Sequence, residues 1–497
     1  MPRRSLGGRE KLRHARANLL DVSEDRANVT AQQLDGTLPF AADQGVQYRG
    51  VLGDVQEPPR GWKASLKYFG PGFLTSAAVV GSGELITATA LGAQAGFVLL
   101  WIVLISTLVK VAIQVEIARW SISTGRASME GYNDVPPKIL GRSWISYIGI
   151  LMFLQIIIGQ GGVIGGAALA LSMLAPVGGD PFSLASIGVW LGILIAIAIA
   201  VQITNKYSLI EGLATVMVAI VTLLVVFMVF GVQFTPFAWT AADLGEGLLF
   251  QIPLGTMGIA LAMFGMTGVG AGEITAYSYW CVEKGYARFT GPNDGSDAWV
   301  TRARGWMSVM KKDAMLSWAI YTISTVAFYV LGAAILNPQG LVPSGTDMFD
   351  VLARIFTDTL GEWTRWIFLI GVALTLFKTA MANIPGFARQ VANTLAIFGA
   401  FDWRDVNRRN LWLKALVVIL PITWGIFYLF IQSPFLMIVL AGIGNAIFLM
   451  AIVVATWYLR TTQIGKRVAD GKWFTVWLAI SSLAVFAVGV LSLIDLF

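Results

Sequence analysis

The sequence predicts an all-α integral membrane protein of eleven transmembrane helices, arranged as two five-helix repeats of opposite topology plus one additional helix. Three observations lead there: an apolar composition, an alternating distribution of basic residues, and a glycine–glutamate motif that occurs twice. Of 497 residues, 56% are apolar and 13% charged, about half the charged share of an ordinary soluble domain. Mean hydropathy is +0.70. So few charges cannot cover so much apolar surface in water, so lipid must form part of the solvent. The 53 glycines fit membrane helices that pack closely. A single cysteine, Cys281, excludes an internal disulfide and any cysteine-rich metal or cluster site; the single histidine, His14, lies in a charged N-terminal stretch. The net charge of +6 reads as orientation rather than nucleic-acid binding, and no nucleic-acid partner or cofactor is expected.

About 20 apolar residues cross a bilayer as a helix. Eleven such runs are expected, at 68–95, 97–121, 144–172, 184–204, 208–232, 252–280, 314–337, 363–388, 412–432, 434–459 and 473–496. Residues 1–66 form a polar tail without a span, and without the early apolar run of a cleaved signal peptide. With that tail in the cytoplasm, 30 of the 35 basic residues fall on inward connections. Arg354 and Arg365 are the outward ones; Lys110, Arg119 and Lys378 lie within spans. The bias places the N-terminus inside and the C-terminus outside a plasma (inner) membrane. The division that follows is a cytoplasmic tail at 1–66, a first repeat at 67–232, a second at 252–460 and an eleventh helix within 472–497.

The first span reads Val80-Gly81-Ser82-Gly83-Glu84, with Ile86-Thr87-Ala88 behind it; the sixth reads Val269-Gly270-Ala271-Gly272-Glu273-Ile274-Thr275-Ala276. The two copies are 189 positions and five helices apart, so they run in opposite directions, as inverted repeats do. Each glycine weakens a helix by about 1 kcal/mol relative to alanine. Interrupted spans at matching positions of two halves mark a transporter's central site. Glycine pairs also serve helix packing, and a glutamate in a first turn also caps a helix. A mid-membrane carboxylate costs about 2.5–3.5 kcal/mol on insertion scales, more than capping returns, which favours a proton, a cation or a lysine as the partner of Glu84 and Glu273.

At these residues the chain resembles the Nramp family of metal-ion transporters. The resemblance is carried by Gly70-Pro71-Gly72-Phe73, Gly92-Ala93-Gln94-Ala95-Gly96, Leu99-Leu100-Trp101 and Ser123-Thr124-Gly125-Arg126, and more weakly by Tyr207 to Glu211 and Gly386-Phe387-Ala388-Arg389-Gln390. It spans roughly residues 65–460 and implies a leucine-transporter-like fold with broken first and sixth helices. Family members carry Asp-Pro-Gly-Asn where this chain has Gly81, Ser82, Gly83 and Glu84, and Met-Pro-His where it has Val269, Gly270 and Ala271. The usual metal-ligand motifs are therefore absent.

Glu84 and Glu273 supply hard anionic oxygens and are the expected metal ligands. Gly81, Ser82, Thr87, Gly270, Ala271 and Thr275 add hydroxyls and unwound backbone to the substrate site. Oxygen-only ligands suit hard metal ions. The small residues replacing Asp, Met and His suggest an enlarged cavity, which leaves a metal chelate, an organic cation or an amino acid-like solute as the alternative cargo. Lys110, Glu211, Lys378 and Asn445 are candidate coupling or charge partners. If both lysines reach the centre, they cancel the two acids and the site suits a zwitterionic or anionic solute; if Lys110 pairs elsewhere, the centre stays negative. Among the weaker candidates, Glu116 and Arg119 read as a structural pair, Gln155 and Gln160 as lining of a polar path, and Asn383, like Asn445, as a polar gate or an interhelix hydrogen bond. Met263 and Met266 read as packing, and Trp299 with Trp306 as an interfacial segment between the sixth and seventh spans. The function expected is secondary active transport of a cation by alternating access in a monomer, with protonation of a glutamate as a means of coupling. A channel is a distant alternative. An enzyme is not expected, because no nucleophile–base pair lies in the membrane.

Overall fold

The protein, described as a computed structural model, is resolved into residues 55–203, 207–345 and 347–495; the side chains of 207–215, 217, 218, 221 and 359 lie outside that description. Among the described residues the elements are helices, apart from one small hairpin pairing Lys138–Ile139 with Arg142–Ser143. Among the described residues nine helices are long and apolar enough to cross a membrane, or ten with the bent pair at the start counted as one span. Tyr207–Gly231 is helical where the fifth span is expected.

The first span is two half-helices, α1 (Pro71–Val79) and α2 (Gly83–Ala95), bent by 44°. Pro71 starts α1 well, because a first-turn residue needs no N–H. The turns Gly83–Ala88 are wound wide as a π-helix, a form that collects at functional positions. There follow α3 (Leu100–Thr124), α4 (Trp144–Leu174), α5 (Leu184–Ile203) and α6 (Tyr207–Gly231). The sixth span is again two half-helices, α7 (Met257–Met266) and α8 (Ala271–Glu283). The remaining spans are α9 (Asp297–Leu331), α10 (Thr364–Ile397), α11 (Val406–Ile431), α12 (Pro434–Thr462) and α13 (Lys472–Asp495).

The interfacial segment expected at Trp299 and Trp306 is instead the start of α9. Ser296 caps the helix through the Trp299 N–H, and no glycine break or proline interrupts the next 35 residues, so the helix runs about 52 Å, longer than a bilayer core. Both tryptophans are buried. The Trp306 indole donates to the Gln56 carbonyl at 2.9 Å, and the Gln56 N–H donates to Phe289 O at 3.0 Å. Gly305 admits Pro58 where a side chain would collide. The described end of the N-terminal tail is thus docked on α9; residues 1–54 lie outside the described residues.

Glycine permits close backbone contact between helices. A Cβ at Gly265 on α7 would overlap the Gly442 carbonyl of α12, and one at Gly442 would overlap the Ala262 carbonyl of α7. Gly159 on α4 admits Ala441 in the same way.

The end of the bundle that carries the basic connections is held by a buried ion network. Glu116 accepts from Arg119 at 2.9 Å and from Arg460 at 2.5 Å. Arg119 also pairs with Asp470, which Lys311 reaches at 2.9 Å. The expected Glu116–Arg119 pair is therefore the core of a network joining α3, α9, α12 and the connection before α13. Removing one member strands the others, at about 3–5 kcal/mol for a buried pair. Glu116→Gln should lower the melting temperature of the purified protein strongly, and an unchanged melt would refute the network's role. Burial pushes the Asp470 carboxyl up, but Arg119 and Lys311 hold it below its ordinary value of 3.8. A depressed carboxyl contributes stability above its ordinary value and loses it as pH falls. Below about pH 4 the wild type should therefore lose stability faster than Asp470→Asn in melts across a pH series.

Candidate functional site

The two breaks lie side by side. In the first, Val80 leaves the helix with ψ 93°. In the second, Thr267 is extended with ψ 143° and Gly268 sits at φ +63°, a conformation that glycine adopts without strain. Each glutamate of the repeated motif folds back on the first glycine of its own copy. The Gly81 N–H donates to Glu84 Oε2 at 3.1 Å, and the Gly270 N–H to Glu273 Oε2 at 3.2 Å. Both carboxylates thus satisfy N–H groups orphaned by a break.

Beyond that common cap they diverge. Glu84 is fully buried. Its Oε1 accepts the Gly268 N–H at 3.2 Å and the Thr325 hydroxyl of α9 at 3.4 Å, so one carboxylate fastens the first break to the second. Glu273 keeps partial exposure and lines a cavity of about 30 Å³ together with Ser82, Gln155, Gln160, Met266, Gly268, Asn383 and Asn445, room for about two waters. Gln160 Oε1, on that lining, is buried and has no hydrogen-bond partner among the described residues.

Asn445 spans the second break: its Oδ1 accepts from the Ala271 N–H and its Nδ2 donates to the Gly265 carbonyl, both at 2.8 Å. Both lysines reach the centre. Lys110 Nζ donates to the Phe264 carbonyl at 2.6 Å and to that of Thr267, at the buried C-terminal end of α7. Lys378 Nζ donates to the Val80 carbonyl at 2.6 Å, at the end of α1. Half-helix C-termini carry partial negative charge, so an ammonium is the complementary cap. Lys110 lies within electrostatic range of Glu84 and Glu273, and Lys378 of Glu84. Two acids and two lysines thus share the centre, each lysine on a backbone carbonyl rather than in an ion pair with a glutamate.

The structure separates the expected site residues. Ser82, Glu273 and Asn445 line the cavity. Gly81, Glu84, Gly270, Ala271, Lys110 and Lys378 build the breaks behind it. The Thr87 and Thr275 hydroxyls turn back onto their own helices, to Gly83 O at 2.6 Å and Ala271 O at 2.8 Å, so neither lines the cavity. The Glu211 side chain lies outside the described residues. The enlarged cavity is not found. A Cβ at Gly81 would overlap the Thr379 hydroxyl of α10, and one at Gly270 would overlap the Asn445 amide. At Gly81, where the family carries Asp, the room is thus taken by Thr379 of α10, and beside Gly270 the space is taken by Asn445 of α12.

Two contributors escape a reading of the sequence. Gly268 supplies the N–H that Glu84 needs; its position two residues before Gly270 was the available signal. Asp313, fully enclosed, accepts the Gly70 and Gly72 N–H groups at 3.1 and 2.6 Å and the Tyr277 hydroxyl at 3.1 Å. It anchors the start of α1 and reads in sequence as part of a solvated run beside Lys311 and Lys312.

This arrangement, two interrupted helices crossing at a small polar cavity inside a helical bundle, defines a membrane transporter. The chain belongs to the family described as natural resistance-associated macrophage protein-like (Nramp), whose profile matches residues 72–495. The metal transporter Nramp6.2 of Populus trichocarpa is 37% identical over 110 residues, 22% of this chain and 18% of that protein. The divalent metal cation transporter MntH of Lacticaseibacillus casei (strain BL23) is 32% identical over 126 residues, 25% of this chain and 27% of that one. These similarities span less than a third of either relative's length. A mutant of the Eremococcus coleocola manganese transporter superposes with a TM-score of 0.64 at 16% identity, covering 90% of both chains. MHP1, a nucleobase-cation-symport-1 family transporter in a closed conformation, superposes with a TM-score of 0.54 at 16% identity, over 86% of this chain and 90% of that one. The likenesses show the transporter fold that the resemblance implied.

The two acids should behave differently when neutralised. Glu84→Gln removes the charge opposite Lys378 and should cost about 3–5 kcal/mol. Glu273→Gln retains an acceptor for Gly270 and should melt close to wild type. Thermal melts of the two variants in detergent decide this, and equal losses would refute the division of roles.

Proposed function

We propose that the chain is a secondary transporter that carries a metal cation across the membrane by alternating access, with Glu273 as the acid that meets the cargo. The observation that carries this reading is the pairing of Glu273 with the unpartnered Gln160 Oε1 on one small cavity between the breaks. A buried carbonyl oxygen without a donor, beside a carboxylate, calls for a positive guest. Family membership and the names of its relatives, metal transporters and a divalent metal cation transporter, point the same way. Met266 on the lining adds a thioether to a set of oxygens, a mixture that accommodates softer divalent ions than oxygens alone. About 30 Å³ suits a bare or nearly bare ion; a chelate or amino acid-like solute needs a cavity of several hundred Å³.

The basic residues support an inner-membrane orientation with the N-terminus cytoplasmic, eleven spans counting α6, and the two five-helix repeats as the units between which the cavity opens. Glu273 is also the cavity acid available to exchange a proton for the cargo.

Uptake of manganese, magnesium and calcium ions into proteoliposomes with an internal pH dye tests the proposal. Saturable uptake of a bare divalent ion is expected, with acidification alongside it. Glu273→Gln should reduce uptake by at least tenfold while the protein stays folded, and Gln160→Leu should weaken apparent affinity. Undiminished uptake by Glu273→Gln would overturn the site.

A further inference from the structure

A second, larger cavity lies at the end of the bundle that carries the basic connections. It holds about 770 Å³, within the range of about 300–1,000 Å³ that small-molecule sites occupy. Three segments wall it: the end of α3, the α8–α9 connection with the first turn of α9, and the α12–α13 connection. It shares no lining residue with the cavity at Glu273. Among the described residues its lining includes two cations, Lys466 and Arg467, and no aspartate or glutamate. A departing metal cation gains nothing from such a chamber, whereas an anion is drawn into it.

The walls are fixed to one another. The buried Trp299 indole donates to the Gly291 carbonyl at 2.9 Å. Arg467 Nη1 donates to the Gly295 carbonyl at 2.9 Å, and Arg304 Nε donates to the Arg467 carbonyl at 2.7 Å. The α12–α13 connection is thereby tied to the start of α9. The neighbouring acids are committed: Asp294 accepts the Ser296 N–H at 2.9 Å, and Asp297 pairs with Arg467. Asp297 is almost fully exposed, and an exposed pair contributes little, so the guanidinium costs little to redirect. Lys466 makes no hydrogen bond or ion pair with another described residue. Asn293 spends its Oδ1 on the Gly295 N–H at 3.1 Å, which leaves its amide N–H groups to donate. The 35-residue α9 also begins at this wall, and the N-terminal end of its dipole favours negative charge.

We propose that this cavity binds a phosphate-bearing anion distinct from the cargo, held by Lys466, Arg467 and the Asn293 amide. A doubly charged phosphate competes well with one exposed carboxylate for Arg467, and the planar guanidinium matches two phosphate oxygens. The volume leaves room for a nucleoside or sugar behind the phosphate; a lipid headgroup offers the same chemistry. Val55 sits where a side chain on Gly291 would be, and the Gln56 N–H donates to Phe289 O, so the ligand rests on the connection that also docks the tail. The proposal stands apart from the reading of Glu273, and either can fail without the other.

Isothermal titration of the full-length purified protein in detergent tests it, in excess sodium chloride and without divalent metal. The probes are AMP, inorganic pyrophosphate and dihexanoyl phosphatidic acid. Saturable one-to-one binding of at least one probe to the wild type is expected. Lys466→Glu should weaken that binding at least tenfold, and Lys466→Arg should retain it. Both variants should fold, because the side chain is exposed and has no described partner to lose. Binding of AMP or pyrophosphate supports the site with a soluble ligand, and binding of phosphatidic acid alone supports it with a lipid headgroup. No saturable binding of any probe overturns the proposal, and so does binding that Lys466→Glu leaves unchanged.

Discussion

A single buried carboxylate holds the centre of this molecule together. Glu84 accepts the Gly81 N–H of its own break, the Gly268 N–H of the other break and the Thr325 hydroxyl of α9. Interrupting two helices inside a membrane leaves N–H and carbonyl groups that lipid cannot satisfy. Glu84 answers the N–H groups on both sides at once, and Lys110 and Lys378 answer the carbonyls. The small polar cavity exists because these charged groups leave it free of backbone obligations, with Glu273 turned toward it.

Much of this was legible in the residues. The repeated Val-Gly-x-Gly-Glu motif locates both breaks within a residue or two, because closely spaced glycines are costly inside a helix unless the helix ends there. Helix boundaries followed apolar runs where proline, glycine or charge bounded them, as at Trp144 and Pro434. They failed at Asp297, where nothing in the local sequence distinguishes a helix leaving the membrane from one lying on its surface. Only the burial of Trp306 against Gln56 and Tyr68 decides that.

The site was harder to read because its chemistry depends on what crosses between helices. Small residues at Gly81 and Gly270 signal space in a sequence, yet Thr379 and Asn445 occupy it. Two glutamates related by a repeat look equivalent, and their caps are. What separates them is the second oxygen, buried across the other break in Glu84 and turned toward the cavity in Glu273. The lysines were visible as mid-span charges, but their partners are carbonyls near breaks in other helices, 154 to 298 residues away, and backbone acceptors carry no mark in a side-chain code.

The backbone-to-backbone contact of Gly265 with Gly442 bears on how such a bundle can reorganise. Without side chains between them, α7 and α12 have little room to slide, so the first half of the sixth span is held against the tenth. Its other half, α8, is clasped to α10 through Gln390 on the Gly272 carbonyl and Arg389 on Glu283. The four residues from Thr267 to Gly270 therefore join two differently allied rods, and Asn445 of α12, holding Gly265 on one side and Ala271 on the other, ties the joint itself, so any bend there has to release that amide or carry α12 with it.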